Sequence, residues 1–289
     1  MSVPVAFDYC AAKSIDEAIA LMQQYGDDAE FLAGGQSLLP TMKLRLAQPE
    51  HLIDLGRIQG LSYIREEEGA IAVGAMTTYA TLLRSNVTKH YFPMLLEGIE
   101  QIGDQQVRNR GTIGGSVAHS DPAADMPGMV LALRADIIVQ GTEGVRIIKA
   151  DDFFLNLFET ALQPGEVIME MRFAWPPAHT GSAYEKLANK TSHYAVAGGA
   201  AVVTLDTDGI CISASVVIVG VSVKPSRASG VEAALVGKKL DEIVIADAAS
   251  HATANLEIVS DIYGSKECRS QMASVIAKRA IARAVRRGT

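Results

Sequence analysis

The sequence has few cysteines and no long apolar run, and both absences narrow its function. The cysteines, Cys10, Cys211 and Cys268, lie far apart, whereas iron–sulfur and zinc sites use closely spaced ligands. We therefore expect no metal site in this chain. No run of about 18 apolar residues occurs, so we expect no membrane span. The first residues lack a basic region followed by an apolar one, which predicts no secretory signal and a reducing, cytoplasmic location.

Positive charge is also scarce. The formal net charge is -7, which argues against a nucleic-acid-binding surface, because phosphate binding requires clustered lysine and arginine. One basic cluster lies in the last predicted helix and comprises Lys278, Arg279, Arg283, Arg286 and Arg287. Cations are favourable at the end of a helix, so we interpret the cluster as a solvated helix terminus, with a docking patch as the alternative.

Several motifs of common enzymes are missing. No GxGxxG follows a predicted strand, which argues against a Rossmann dinucleotide site. Gly237-Lys238 is followed by Lys239 rather than serine or threonine, so it is not a P-loop. Neither HExxH nor GxSxG occurs, and we assign no catalytic residue. A nucleotide, if bound, is therefore held by a motif other than a Rossmann site or a P-loop.

The order of predicted elements indicates an α+β fold in two parts. Trp175-Pro176-Pro177 marks a boundary, because consecutive prolines interrupt helix and sheet. We assign residues 1–176 to one domain, with lobes of about 1–58 and 59–176, and residues 177–289 to a second domain. In the first, Ser14 and Glu17 form a capping box for a helix ending at Gly26, and residues 103–127 are expected to be a long functional loop. In the second, strands at 182–188, 196–205 and 211–223 precede helices at 229–236, 241–255 and 266–287.

Two glycine-rich segments carry the chemistry. Residues 33–38 read Ala-Gly-Gly-Gln-Ser-Leu directly after a predicted strand, and residues 112–116 read Thr-Ile-Gly-Gly-Ser. Glycines allow close backbone approach to a ligand, and successive amides form anion-binding nests. Two nests suit a ligand with two phosphates, and the acidic residues that follow the second segment suit ribose hydroxyls. His119, without a partner pattern, is interpreted as a polar wall residue.

The two segments, in this order and at this separation, resemble the pyrophosphate loops of the FAD-binding medium subunits of molybdenum hydroxylases, the carbon monoxide dehydrogenase and xanthine dehydrogenase family. The resemblance extends through residues 39–46, 119–125 and 184–187 and covers essentially the whole chain. It implies a two-lobed FAD-binding domain of the PCMH type rather than a Rossmann fold, followed by a domain with an antiparallel sheet and a helical block. Gln36 and Ser116 depart from the residues common in relatives but keep hydrogen-bonding side chains.

The resemblance also implies which residues bind FAD. The pyrophosphate positions match Ala33, Gly34, Gly35, Gln36, Ser37, Leu38, Thr112, Gly114 and Ser116. Gly115 and Ala118 of the second loop are also expected to bind the cofactor. Asp121 and Asp125 follow the second loop, and Asp125 matches a ribose-binding position. Ile102, Gly103 and Arg108 match the segment leading into the second loop. Lys186 and Tyr194 match positions close to the isoalloxazine ring.

Members of this family work in complexes, and the resemblance implies the same for this chain. The expected partners are a large subunit that binds molybdopterin and a small subunit with two [2Fe–2S] clusters. Electrons would leave the flavin to a quinone, NAD or oxygen. Any contact with the inner membrane face would be made through the complex. The substrate stays open among carbon monoxide, purines, aldehydes and N-heterocycles. The alternatives are a self-sufficient FAD oxidase or reductase and a nucleotide-binding regulatory module.

Overall fold

The first sheet has three parallel strands and lies near the start of the chain. A computed structural model describes residues 3–289. Its first elements are β1 (Asp8–Ala11), α1 (Ile15–Tyr25), a 3₁₀ turn (Gly26–Asp28), β2 (Ala29–Leu32), α2 (Leu38–Lys43) and β3 (His51–Asp54), with strand order β1-β3-β2. The predicted capping box is confirmed: Ser14 accepts from the amide of Glu17, and the Glu17 carboxylate accepts from the amide of Lys13.

The second sheet has five antiparallel strands and packs against a group of short helices. Its strands are β4 (Ile64–Glu67), β5 (Ala70–Gly74), β6 (Asp136–Gly141), β7 (Gly144–Lys149) and β10 (Val167–Ala174), in the order β4-β5-β10-β6-β7. The helices between β5 and β6 are α3 (Tyr79–Arg84), α4 (Asn86–Tyr91), α5 (Pro93–Glu100), α6 (Gln105–Arg110), α7 (Ile113–His119) and α8 (Asp125–Ala132). Helix α9 (Ala150–Phe153) and a hairpin of β8 (Phe154–Asn156) and β9 (Glu159–Thr160) precede β10.

The prediction of a long loop at residues 103–127 is wrong, because α6, α7 and the start of α8 lie there. These short helices are stabilised by a local cap, by burial or by both, rather than by their own propensity. Asp104 accepts from the amides of Gln106 and Val107 at the start of α6, and Thr112 accepts from Gly115 at the start of α7. Ile113 and Val117 of α7 and the apolar side chains of α8 are buried in the core, so tertiary packing fixes helices whose glycine and proline content obscured them.

The C-terminal part consists of an antiparallel sheet covered by helices. The strands are β11 (Thr180–Ala188), β12 (Ala195–Leu205), β13 (Cys211–Val219) and β14 (Ser226–Arg227), in sequential order. The helices are α10 (Ser229–Leu235), α11 (Glu242–Ala249) and α12 (Lys266–Gly288). Helix α12 presents a buried stripe of small residues to the sheet, and a Cβ on Gly181 would overlap the carbonyl oxygen of Ala284. The predicted α+β class, with an antiparallel sheet and a helical block in the C-terminal part, is confirmed.

Charged side chains join the C-terminal sheet and α12 to the preceding helices. Glu97 of α5 pairs with Arg283 and Arg287 of α12 and accepts from the amide of Tyr184, 2.9 Å away. The basic cluster of the last helix is therefore partly used inside the molecule and is not simply a solvated terminus. Among residues 3–289, none of the helices combines the length and the apolar character needed to cross a bilayer.

Candidate functional site

The first glycine loop connects β2 to α2 and offers a row of backbone donors. Gly35 has φ +73°, a conformation that favours glycine. Within the described part of the chain, the amides from Gly34 to Leu38 donate to no protein acceptor. Consecutive amides in such a turn bind anions through their partial positive charges. This loop therefore has the donor set of a phosphate site.

The second loop has a different role from the one predicted. The amides of Ile113 and Gly114 donate to the carbonyls of Thr77 and Ala75, and those of Gly115 and Ser116 donate to Thr112. The expectation of a second nest of free amides is therefore wrong. A residue with a bonded amide can still contact a ligand through its side chain or by close approach, so Thr112, Gly114, Gly115 and Ser116 stay predicted FAD contacts.

The two loops touch each other, which places residues of both in one site. A Cβ on Gly34 would overlap the carbonyl oxygen of Arg110, and a Cβ on Gly115 would lie 3.3 Å from that of Ala33. Glycine is required at Gly34 for close approach of the loops rather than for its own conformation. The second loop is thus the rigid support on which the first loop rests.

A cavity of about 670 Å³ runs along both loops. All but three of the predicted site residues line it: Ala33, Gly34, Gly35, Gln36, Ser37, Leu38, Ile102, Gly103, Thr112, Gly114, Gly115, Ser116, Ala118, Asp125 and Tyr194. The volume lies within the range of about 300–1,000 Å³ usual for small-molecule and cofactor sites. The structure therefore gathers residues from three distant parts of the sequence around one space.

Arg108, Asp121 and Lys186 are not among the lining residues of the cavity. Asp121 accepts from the amide of Ala123, 2.8 Å away, and burial raises the pKa of its carboxyl group. Arg108 donates to nearby carbonyls, and the side chain of Lys186 is fully buried behind the cavity. These three residues make their contacts with other parts of the protein next to the cavity and do not form its surface.

Asp125 reaches the cavity, but its carboxylate is already engaged. One oxygen accepts from the hydroxyl of Tyr184 at 2.5 Å, and the other accepts from Lys186 Nζ at 2.8 Å. Burial raises the pKa of Asp125, and the neighbouring ammonium of Lys186 opposes that shift. Ribose binding by Asp125 stays a prediction, and it would have to share this carboxylate with two protein donors.

Tyr194 lies in a tight turn that forms another wall of the cavity. In this turn Asn189 accepts from the amides of Thr191 and Ser192, and His193 has φ +62°. Tyr194 is 38% exposed. Burial raises the pKa of its hydroxyl, and Tyr194 lines the same cavity as Ser37 of the first loop. The turn therefore brings the C-terminal part against the first glycine loop.

Several lining residues carry no sequence signal. Tyr79 lies below the second loop, where burial raises its pKa and a hydrogen bond with Ser116 opposes the shift. Phe158 comes from the β8–β9 hairpin, with its ring centroid 5.2 Å from that of His119. His119 lines the cavity, as its interpretation as a wall residue requires, and burial lowers its pKa. Nothing in an isolated hairpin indicates that it borders a cofactor site.

The donor set and the shape of the cavity fit FAD. The free amides of the first loop suit a pyrophosphate, and the hydroxyls of Ser37, Ser116 and Tyr194 add further donors at its walls. Apolar lining residues, among them Phe31, Leu55, Met76 and Val167, suit the flat faces of aromatic rings.

Comparison with known proteins also indicates a FAD-binding protein, and the similarity extends over almost the whole chain. The family described as "FAD binding domain in molybdopterin dehydrogenase" matches residues 5–176, and the "CO dehydrogenase flavoprotein C-terminal domain" matches residues 182–284. The carbon monoxide dehydrogenase medium chain of Hydrogenophaga pseudoflava is 42% identical over 279 residues, which cover 96% of this chain and 97% of the relative. The nicotine 6-hydroxylase medium subunit of Paenarthrobacter nicotinovorans is 36% identical, with 98% and 99% covered.

Solved structures are similar over the same extent. A carbon monoxide dehydrogenase from Hydrogenophaga pseudoflava, which lacks the Mo-pyranopterin moiety of its cofactor, superposes with a TM-score of 0.95 at 43% identity and 99% coverage of both chains. Quinoline 2-oxidoreductase from Pseudomonas putida 86 superposes with a TM-score of 0.91 at 34% identity and 98% coverage of both chains.

Proposed function

Because this chain belongs to the family of FAD-binding medium subunits of molybdenum hydroxylases, we propose that it passes electrons within such a complex. The donor is a partner chain with [2Fe–2S] clusters, and the acceptor is external: a quinone, NAD or oxygen. Oxidation of the substrate belongs to a molybdopterin-binding partner. The observation that supports this best is the cavity formed by both glycine loops and the 189–194 turn.

The residues of this chain bind and orient the cofactor rather than attack a substrate. The amides of Gly34 to Leu38 hold the pyrophosphate, and Tyr194 borders the isoalloxazine ring. FAD, when bound, supplies the capacity to accept and release electrons. The protein's contribution is to fix the cofactor's position and to control the polarity and solvent access around it.

The substrate of the complex stays open. The similar proteins are named for carbon monoxide and nicotine, and one superposing structure is named for quinoline. Since medium subunits with such different names share this chain's length and fold, the substrate is chosen elsewhere in the complex. The identity of the large subunit encoded near this chain would narrow the choice.

An anaerobic reduction experiment tests the proposed function. The full chain loaded with FAD is mixed with carbon monoxide, an aldehyde, a purine or an N-heterocycle, and the flavin absorption is followed. We expect no bleaching until the molybdenum and iron–sulfur subunits are added, because oxidation with water-derived oxygen requires the molybdenum centre. Rapid bleaching by the chain alone would overturn the proposal and favour the self-sufficient oxidase or reductase.

A further inference from the structure

Two cations donate hydrogen bonds to the same short piece of backbone behind the cavity. That piece is residues 100–103, which begins at the last residue of α5 and contains the lining residues Ile102 and Gly103. Arg108 Nη1 lies 3.3, 2.9 and 3.1 Å from the carbonyl oxygens of residues 100, 102 and 103 and donates to them with its two N–H groups, one of which is shared between two acceptors. Lys186 Nζ donates to the carbonyl of residue 101 at 3.0 Å. Four consecutive carbonyls are therefore held by two side chains.

Lys186 also connects this backbone to the opposite wall. Its Nζ donates to the carbonyl of His193 at 2.8 Å and to the carboxylate of Asp125 at 2.8 Å. An ammonium group has three N–H donors, and residue 101, His193 and Asp125 account for all three. Lys186 thus has no hydrogen left to donate to a cofactor.

Asp125 makes the burial of this lysine tolerable. The Lys186 side chain is 0% exposed, and a buried ammonium without a counter-charge would be strongly unfavourable. The carboxylate supplies that charge, and the hydroxyl of Tyr184 satisfies its second oxygen. A buried polar network with every member satisfied rigidifies the backbone it contacts.

We propose that Arg108 and Lys186 form a carbonyl clamp, two positioning residues that hold Ile102 and Gly103 in place against the turn carrying Tyr194. The clamp acts on the flavin end of the cavity and does not touch FAD. It replaces the direct flavin contact predicted for Lys186 from family resemblance. The proposal rests on FAD occupying the cavity with its isoalloxazine ring beside Tyr194, as proposed above.

The clamp should affect one half of the ligand only. The pyrophosphate donors, Gly34 to Leu38, lie in a different loop and are not hydrogen-bonded to either clamp residue. ADP, which contains the adenosine diphosphate half of FAD, therefore probes the site without the flavin end. Weaker FAD binding with unchanged ADP binding would show that the substitution affects the flavin end of the cavity. Weaker binding of both ligands would indicate general damage to the cavity.

The test compares Lys186→Met and Arg108→Met with wild type in flavin-free protein, as the full chain or in the complex with which it co-purifies. Kd values for FAD and ADP are measured by calorimetry, and the visible spectrum of bound flavin is recorded. Lys190→Met is the matched control, because Lys190 is exposed in the same turn and makes no side-chain hydrogen bond among the described residues.

We expect both clamp variants to bind FAD about tenfold to a hundredfold more weakly, with ADP binding within about twofold of wild type and an altered flavin spectrum. Unchanged FAD binding in both variants would overturn the clamp, and so would an equal loss of FAD and ADP binding. Failure of the wild-type protein to bind FAD would instead refute the site itself.

Lys186→Met leaves Asp125 buried without its partner, so this variant could fail to fold. The double variant Asp125→Asn/Lys186→Met removes both charges and keeps the side-chain volumes, which avoids the unpaired carboxylate. The clamp requires weaker FAD binding in the double variant as well. Selectivity against ADP is judged in the single variants, because Asp125 is itself a predicted ribose contact. Wild-type affinity for FAD in a folded double variant would refute the proposal.

Discussion

At the scale of single residues, Gly34 sets the spacing between the two glycine loops. A Cβ here would overlap the carbonyl oxygen of Arg110 and lie 3.0 Å from the Cα of Gly111. Backbone atoms cannot move aside as the end of a side chain can. We therefore expect Gly34→Ala to push the loops apart and to raise the Kd for FAD at least about tenfold, a loss of about 1.4 kcal/mol. Titration of flavin-free protein with FAD, followed by flavin fluorescence, measures this change.

Gly69→Ala is the control for this substitution. Gly69 has φ +82° and open space around its Cα, so alanine should cost about 1 kcal/mol of stability through backbone strain alone. Its FAD affinity should match that of wild type. If Gly34→Ala also bound FAD with wild-type affinity, the contact between the loops would have no part in shaping the pyrophosphate site.

Single residues also show why the site was only partly predictable. The two glycine loops are recognisable from the sequence, because consecutive glycine and small hydroxyl residues indicate close approach of the backbone to an anion. The clamp does not, because its function depends on which carbonyls Arg108 and Lys186 reach after folding. Resemblance placed Lys186 near the flavin, but only the structure shows that its three donors are used within the protein.

At the scale of elements, strongly periodic segments were predicted well, whereas the short helices between residues 105 and 132 were not. The helix predicted at residues 266–287 is α12, Lys266–Gly288, since its small and apolar residues recur at helical spacing. The strand predicted at 211–223 ends at Val219, where Gly220 takes φ +77°. Helices of six to eight residues between 105 and 132 leave too few turns for a periodic pattern. Their stability comes from a cap in α6, from a cap and the core in α7, and from the core in α8.

The contact between α5 and α12 gives a prediction at this scale. Glu97, with a side chain 15% exposed, accepts from two arginines and from the amide of Tyr184. We expect Glu97→Ala to lower the free energy of unfolding by about 2–3 kcal/mol, because these donors lose their acceptor. Urea denaturation followed by circular dichroism measures the loss.

Glu242→Ala serves as the comparison. Glu242 pairs with Lys278 across 3.2 Å but is 86% exposed, and exposed ion pairs contribute about 0–1 kcal/mol. A loss for Glu97→Ala no larger than that for Glu242→Ala would show that the α5–α12 contact does not stabilise the fold.

At the scale of the whole molecule, the cavity predicts a dissociable cofactor. The first loop, residues 33–38, contains no histidine or cysteine that could form a covalent link to the flavin, and we expect one non-covalent FAD per chain. Acid precipitation of the flavin-loaded protein should release the yellow colour into the supernatant. Colour retained in the pellet would contradict this, and the lining residues His119 and His193 would then be the positions to examine by mass spectrometry.

The cavity is lined by residues within 33–38, 102–116 and 192–194. These segments lie far apart in the sequence, which has a consequence for the order in which the protein folds and binds its cofactor. During translation the first glycine loop is synthesised early. The turn with Tyr194 connects β11 and β12, which pair with each other and are covered by α12, so this turn is synthesised and fixed later. A nascent chain that has exposed only its first two sheets therefore lacks one wall of the site. We therefore expect FAD insertion to follow translation of the C-terminal sheet, so that the chain first exists without its cofactor.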